Sequence, residues 1–231
     1  MAAPCSFPMT WMGIRWGGTV AFTATEFRVQ LHETLALATS MIVQVVLLLF
    51  VWILNRPLLP YALLGAVVYS VFMLGQRVQN EAAYIRIDHK LHQLYHASPL
   101  SAESYFVGMS AGMLLAYLPP ILVLVAVLFY AVPVSLAAGA VLAAVCAAVW
   151  LFTCSMGYVI STMFRENRAI WPYASIITNL FGVLPPVLYP LRFLPVGAQP
   201  FALMLPTSSA AALTEAAEGG LVALNGGEVA L

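Results

Sequence analysis

Charged residues are so sparse in this chain that the gaps between them outline its architecture. Twenty-two residues, 34–55, separate Glu33 from Arg56, and most are Val, Leu or Ile; a further 20 separate Arg56 from Arg77. From Glu103 to Arg165 the chain runs 61 residues without a charge, and from Arg168 to Arg192 another 23. A helix needs about 20 apolar residues to cross the hydrocarbon core of a bilayer. The longest gap therefore accommodates two crossings, with a turn near Ala131-Val132-Pro133, and the pattern predicts five transmembrane helices. The fifth is broken by proline: Pro172 lies near its start, Pro185-Pro186 interrupt it, and Pro190 and Pro195 follow. Proline removes a backbone donor and clashes with the preceding turn, so this helix should stop near residue 184. Such breaks are tolerated at membrane depth only where protein or water satisfies the freed groups. Residues 187–217 are accordingly expected to dip back into the outer leaflet.

Upstream of the first span, Val20, Ala24, Phe27 and Leu31 recur near helical period, with Glu26, Gln30 and Glu33 off that stripe. With Trp11 and Trp16 before it, this segment reads as a helix lying in the membrane interface. The chain divides into an interfacial N-terminal segment (1–33), a transmembrane domain (34–217) and a polar tail (218–231). Its composition agrees: 62% of residues are hydrophobic, only 8% are charged, and the mean hydropathy is +0.94. Soluble domains carry about 25% charged residues. Net charge is zero, but its distribution is informative. With the N-terminus inside, Arg15, Arg28, Arg77, Arg86, Lys90, Arg165 and Arg168 all lie on the inner side and only Arg56 and Arg192 outside. The excess of basic residues on cytoplasmic loops favours that orientation, a multi-pass protein of the cell membrane with a cytoplasmic N-terminus.

Residues 76–104 form the longest polar stretch. On a helical wheel Tyr84, Ile87, Leu91, Leu94 and Tyr95 share one face, and Asp88, His89, Lys90, His92, Gln93 and His96 the other, which predicts a short amphipathic helix. It ends at Ser98-Pro99, because the residue before proline avoids helical geometry. A new helix then starts with Ser101 as N-cap, Glu103 complementing the helix dipole, and Leu100 placed to staple against Tyr105. Spacings of three and four among His89, His92 and His96 suit a metal. Without a second shell, however, the simpler reading is a solvated polar face, and no metal is expected. Cys5, Cys146 and Cys154 lack ligand spacing, and the last two read as small buried hydrophobes.

The run Leu94-Tyr95-His96-Ala97-Ser98-Pro99-Leu100-Ser101, followed by Tyr105 and Gly108, resembles the loop between the second and third spans of type-2 ABC transporter permeases. Gly182-Val183-Leu184-Pro185-Pro186-Val187-Leu188-Tyr189-Pro190-Leu191, with Leu194-Pro195, Gln199-Pro200 and Leu205-Pro206-Thr207, resembles that family's fifth span and re-entrant outer segment. The order of elements is similar from about residue 20 to residue 217. The resemblance implies an all-α permease whose inner loop is a coupling helix seated on a separate ABC ATPase. Its contact residues would be Ile87, Asp88, His89, Lys90, Leu91, His92, Leu94, Tyr95, His96, Ser98, Pro99 and Leu100. It also implies a second permease subunit, identical or not, and a substrate path along the first, second and fifth helices. Gln44, Tyr69 and Asn179 are polar residues on those helices and are candidates for it, or for hydrogen bonds between helices. The family's sixth span has no counterpart before Leu231, which leaves open a truncated sequence, a partner at that position or a subunit inactive alone.

Gly108 and Gly112 form a GxxxG pair that marks a helix-packing face, within the subunit or between subunits. The chain has no Gly-x-x-x-x-Gly-Lys-Ser/Thr loop, so ATP and Mg would be bound by the partner ATPase and no cofactor by this chain. Neither a Ser-His-Asp nor a His-Glu-x-x-His arrangement is present. The competing readings are a lipid-modifying enzyme using Asp88, His89 and His92, and a structural subunit that transports nothing. Nothing points to nucleic acid.

Overall fold

The computed structural model describes residues 16–87, 101–132, 134–164, 166–183, 187, 194–195 and 197–217, and among them the chain is helical with no strand. Helix α1 spans Trp16–His32, α2 Thr34–Leu54, α3 Leu59–Ile87, α4 Ala102–Ala131 and α5 Leu136–Met163. A 3-10 turn (Arg56–Leu58) joins α2 to α3. Helix α6 (Asn167–Thr178) passes into a π-turn (Asn179–Val183), and α7 (Gln199–Leu203) and α8 (Pro206–Ala217) complete the described residues.

Three segments are long and apolar enough to cross a membrane: Arg56–Ile87, Ala102–Ala131 and Leu136–Met163. They correspond to the second, third and fourth expected spans. At 1.5 Å per residue, α3 is roughly 44 Å long, well beyond the ~30 Å hydrocarbon core. The first expected span coincides with α2, apolar over Met41–Leu54. The fifth is shorter than its charge-free gap implies: α6 has 12 residues and keeps Pro172 inside, and the π-turn adds five, ending at Val183. Large apolar side chains such as Phe50, Ile53, Leu122, Phe129, Leu151 and Phe152 are exposed on α2, α4 and α5, a surface compatible with contact to lipid.

Helix α3 is the hub, packing against α5 and α4 most extensively and also against α2, α6 and α8. Its apolar stretch is 72% buried, against 33% for α4 and 22% for α5, so lipid could contact the outer helices but hardly α3. The contact with α5 is made at backbone level. A Cβ on Gly157 would fall on the Gly75 carbonyl oxygen and 3.0 Å from its carbon, and one on Gly75 would lie 2.6 Å from Thr153 Cβ and closer still to its carbonyl oxygen. Thr153, Gly157 and Ser161 thus form a small-residue seam at four-residue spacing. The GxxxG pair expected to pack does so inside the subunit, against α1. A Cβ on Gly108 would lie 2.8 Å from Phe22 Cδ1, and one on Gly112 2.6 Å from Glu26 Cβ.

This contact revises the reading of α1. Its buried face is Thr19, Glu26 and Gln30, while Val20 and Leu31 of the apolar stripe are exposed. Of the stripe only Phe27 packs partly against the core, while the polar Thr19, Glu26 and Gln30 are buried, because the glycine groove of α4 admits the close approach of α1 on that side. Phe22 reinforces the contact through Tyr105 (ring centroids 5.0 Å apart), and Tyr105 continues to Tyr158 of α5 at 6.3 Å.

The ends of the long helices follow the expected chemistry. Ser101 caps α4 by accepting from the Ser104 backbone N–H at 3.2 Å, with Glu103 in the first turn. Ser135 caps α5 in the same way from Ala138, at 3.1 Å, so the turn between α4 and α5 falls at residues 132–135. In contrast, α3 does not stop at the inner charges but continues through Arg77 to Ile87. Residues 76–87, expected to open the polar inner stretch with its amphipathic helix from Tyr84, are instead the end of α3, a helix long and apolar enough to cross a membrane. There Arg86 donates to the carbonyls of Thr162 (3.0 Å), Phe164 (2.6 Å) and Ser161, the last turn of α5. A cation on those orphan carbonyls complements the negative end of the helix dipole.

Gly157→Ala should lower stability by about 1–3 kcal/mol or more, since its methyl meets backbone rather than a movable side chain. Gly17→Ala, with nothing within 4 Å, should be neutral or slightly stabilising. Thermal melting of both variants in detergent checks the contrast.

Candidate functional site

A cavity of about 220 Å³ lies between α2, α3 and α4. Thr39, Gln44 and Val45 line it from α2, Tyr69, Met73 and Arg77 from α3, and Tyr117, Pro120 and Leu124 from α4. The helices run alternately up and down, so Thr39, Arg77 and Tyr117 lie toward one end and Val45, Tyr69 and Leu124 toward the other. The eight helical steps from Tyr69 to Arg77 span roughly 12 Å. Pro119 and Pro120 lie inside α4, where they remove the backbone donors for the carbonyls of Leu115 and Ala116.

Two lining side chains carry a buried oxygen without a partner, Oε1 of Gln44 and the hydroxyl of Tyr117. Gln44 is only 7% exposed and Tyr117 5%. Buried polar atoms are nearly always paired; among the described residues Gln79 Nε2, Asn80 Oδ1, Arg86 Nε, Trp150 Nε1 and Ser208 Oγ also lack a partner, away from this cavity. Arg77 places its guanidinium 4.9 Å from the centre of the Tyr117 ring, a cation–π contact that holds the ring from the α3 side.

Tyr69 connects the cavity to the end of the chain. Its ring stacks with Phe72 at 6.5 Å, and a Cβ on Gly182 would meet both rings at 2.9 Å. The π-turn therefore lies directly on the side of α3 that carries Tyr69. Thr207 of α8 donates to the Phe181 carbonyl at 2.5 Å, satisfying an acceptor in that irregular turn.

Of the residues singled out in the sequence, Gln44 and Tyr69 thus share a cavity. Asn179 begins the π-turn; its side chain lies outside the described residues. Ile87 ends α3, half-buried, while Asp88, His89, Lys90, Leu91, His92, Leu94, Tyr95, His96, Ser98, Pro99 and Leu100 lie outside the described residues. Gly108 and Gly112 hold α1 and do not contribute to the cavity. Sequence reasoning missed Tyr117, an aromatic in an apolar run with no pattern to mark it, and it read Arg77 only as a topological anchor. Cys146 and Cys154 are free thiols, Cys154 buried, as expected of small hydrophobes.

A second polar group flanks this end of the bundle. Glu26, 4% exposed, accepts from Gln30 Nε2 at 3.2 Å. Burial, followed by the charges of Glu81 on α3 and Glu33 beyond α1, pushes its carboxyl up from 4.5 to about 7, and the Gln30 hydrogen bond only partly opposes this. Compared with protein families, characterised proteins and solved structures, the chain gives no match.

Because the folded state binds the Glu26 proton more tightly than the unfolded chain, stability should be highest at acid pH. It should fall as pH rises from about 4.5 through 7, and level off above. Glu26→Gln should flatten that profile and be more stable than wild type at pH 8 by roughly 2–3 kcal/mol. Denaturation across pH 4–8 measures both.

Proposed function

We propose that the chain is the membrane-spanning permease subunit of an ATP-binding cassette exporter. In this reading it crosses the cell membrane five times with its N-terminus in the cytoplasm, α1 lies at the inner interface, and residues 187–217 re-enter the outer leaflet. A second permease subunit completes the pathway, and a separate ATPase binds ATP and Mg. The observation that carries the reading is the construction of α3. It is an unbroken helix whose membrane section is the most buried in the bundle, and its inner end leads directly into residues 88–100, the segment that resembles a coupling helix.

A push on residues 88–100 would reach the bundle by two routes. Through α3 it moves the hub against which α2, α4, α5 and α6 all pack. Through Arg86, bonded to the last carbonyls of α5, it moves that helix as well. Beyond residues 88–100, Ser101 starts α4 with a rigid cap, so the same segment also joins α4. Three membrane helices thus share one inner lever, the arrangement that lets an external motor switch a cavity between two access states. The cavity holding Gln44 and Tyr69 is then part of the substrate path.

Purification of the chain from native membranes should bring down an ABC ATPase whose hydrolysis rate changes on addition of the chain. Cysteine cross-linkers placed at Leu91→Cys or Tyr95→Cys should capture that same subunit in intact cells. Turnover of lipid by the chain alone would instead identify an enzyme, and neither outcome with any ATPase present would identify a structural subunit.

A further inference from the structure

Helix α1 is joined to the bundle mainly through α4, with only light contact to α2. Two successive turns of α1 seat in the glycine groove. A Cβ on Gly108 would lie 3.3 Å from the Thr19 carbonyl oxygen, and one on Gly112 would lie 3.1 Å from that of Thr23 and 2.9 Å from Glu26 Cγ. Beyond His32 a single non-helical residue, Glu33 (φ −82°, ψ 52°), separates α1 from α2. A joint of this kind, at the end of an element, is where a docked helix can turn as a rigid body.

A carboxyl group lies at the centre of this contact. Glu26 is buried over Gly112, and its hydrogen-bond donor is Gln30, a buried neighbour on the same helix. Between Tyr105 and Tyr117, α4 carries no charge, and those two tyrosines are its titratable groups there. The charges acting on Glu26 are Glu81 from α3 and Glu33 from the joint, both negative. Arg77, also on α3, lies over the Tyr117 ring, and the basic residues of α1, Arg28 and His32, are exposed. An ionised Glu26 is therefore desolvated beside two like charges, whereas a protonated one keeps the Gln30 bond and meets no repulsion. Docked, the carboxyl titrates near 7; released into water it returns to the ordinary 4.5. Docking is thus strongest below pH 4.5, weakens about tenfold per pH unit between 4.5 and 7, and levels off above.

We propose that α1 is a proton-operated latch: with Glu26 neutral it lies in the groove of α4, and with Glu26 ionised it swings out about Glu33 and frees α4. The cost of ionisation is then met locally, by α1, and the α3–α5 crossing stays intact. Release uncovers Gly108, Gly112 and the ring of Tyr105, which Phe22 covers in the docked state. Proton concentration at that face so controls how firmly α4, one wall of the cavity, is held. The latch does not depend on the transport reading, and its test needs no ATPase.

The full chain, with Cys5, Cys146 and Cys154 changed to alanine, is spin-labelled in lipid nanodiscs, and label distances are measured by pulsed electron resonance at pH 5 and pH 8. The pair Thr25→Cys and Val141→Cys reports on α1 against α5, and the control pair Tyr84→Cys and Val141→Cys on α3 against α5; all three positions are exposed. At pH 5 the α1 pair should give one narrow distance. At pH 8 a second, broader population should join it, the ratio of released to docked rising at least tenfold, while the control pair stays unchanged. Glu26→Gln should hold the narrow distance at both pH values, because its amide stays neutral. If that variant does not fold, Glu81→Gln should shrink the released population at pH 8, since it removes the larger of the two like charges, and no change there would overturn the proposal. An α1 distance that ignores pH, or release that persists in Glu26→Gln, would overturn it as well. So would equal broadening of the control pair, which would mean a general loosening of the bundle.

Discussion

The bundle depends on backbone touching backbone where α3 crosses α5. Inside a bilayer the hydrophobic effect does not drive helices together, because lipid tails are as apolar as leucine; close packing and hydrogen bonds must hold them. Gly75 and Gly157 permit an approach that any side chain would prevent. That approach seats α3 deep enough for α4, α5 and α6 to surround it, and it brings the inner end of α3 to the last turn of α5. Arg86 reaches the carbonyls of Ser161, Thr162 and Phe164 only because the crossing fixes how the two helices run past each other.

Polar groups in this apolar protein fall into two kinds, and the difference is informative. Most are satisfied by structure: Ser101 and Ser135 cap helices, Thr207 pairs the Phe181 carbonyl in the π-turn, and Gln30 pairs Glu26. Each removes an unpaired group that a low-dielectric interior penalises. Gln44 and Tyr117 lack such partners and line the same cavity.

Tyr69 shows how local irregularity positions this region. The π-turn carries Gly182, and the missing Cβ lets the turn press on Tyr69 and Phe72. One face of α3 thus connects the cavity under α2 with the segment that follows α6. On the permease reading, movement of α3 would be felt on both sides of Tyr69 at once.

Composition and charge spacing were enough to recognise an all-helical chain with apolar helices of membrane length, because lipid imposes a simple rule: long stretches must lack charge, and backbone groups must pair within the helix. The cap at Ser101 and the turn near residue 132 were equally legible, being set by neighbours in the chain. The outcome at α1 was not. Glu26, off the apolar stripe, faces the glycine groove of α4, with Gln30 buried beside it, and no periodicity within α1 reveals that groove. Nor did Arg77 mark the end of its helix, since a charge read as a boundary can be accommodated over an aromatic face such as Tyr117. Gln44 and Tyr69 stood out as polar residues in apolar spans, yet their shared cavity, and the part Tyr117 has in it, arise from helices far apart in sequence. Periodicity and charge are properties of a single segment, and these determine which helices exist. Which faces meet is decided by the fit between segments, because in lipid the close approach of complementary surfaces, more than the apolarity of any one of them, holds the helices together.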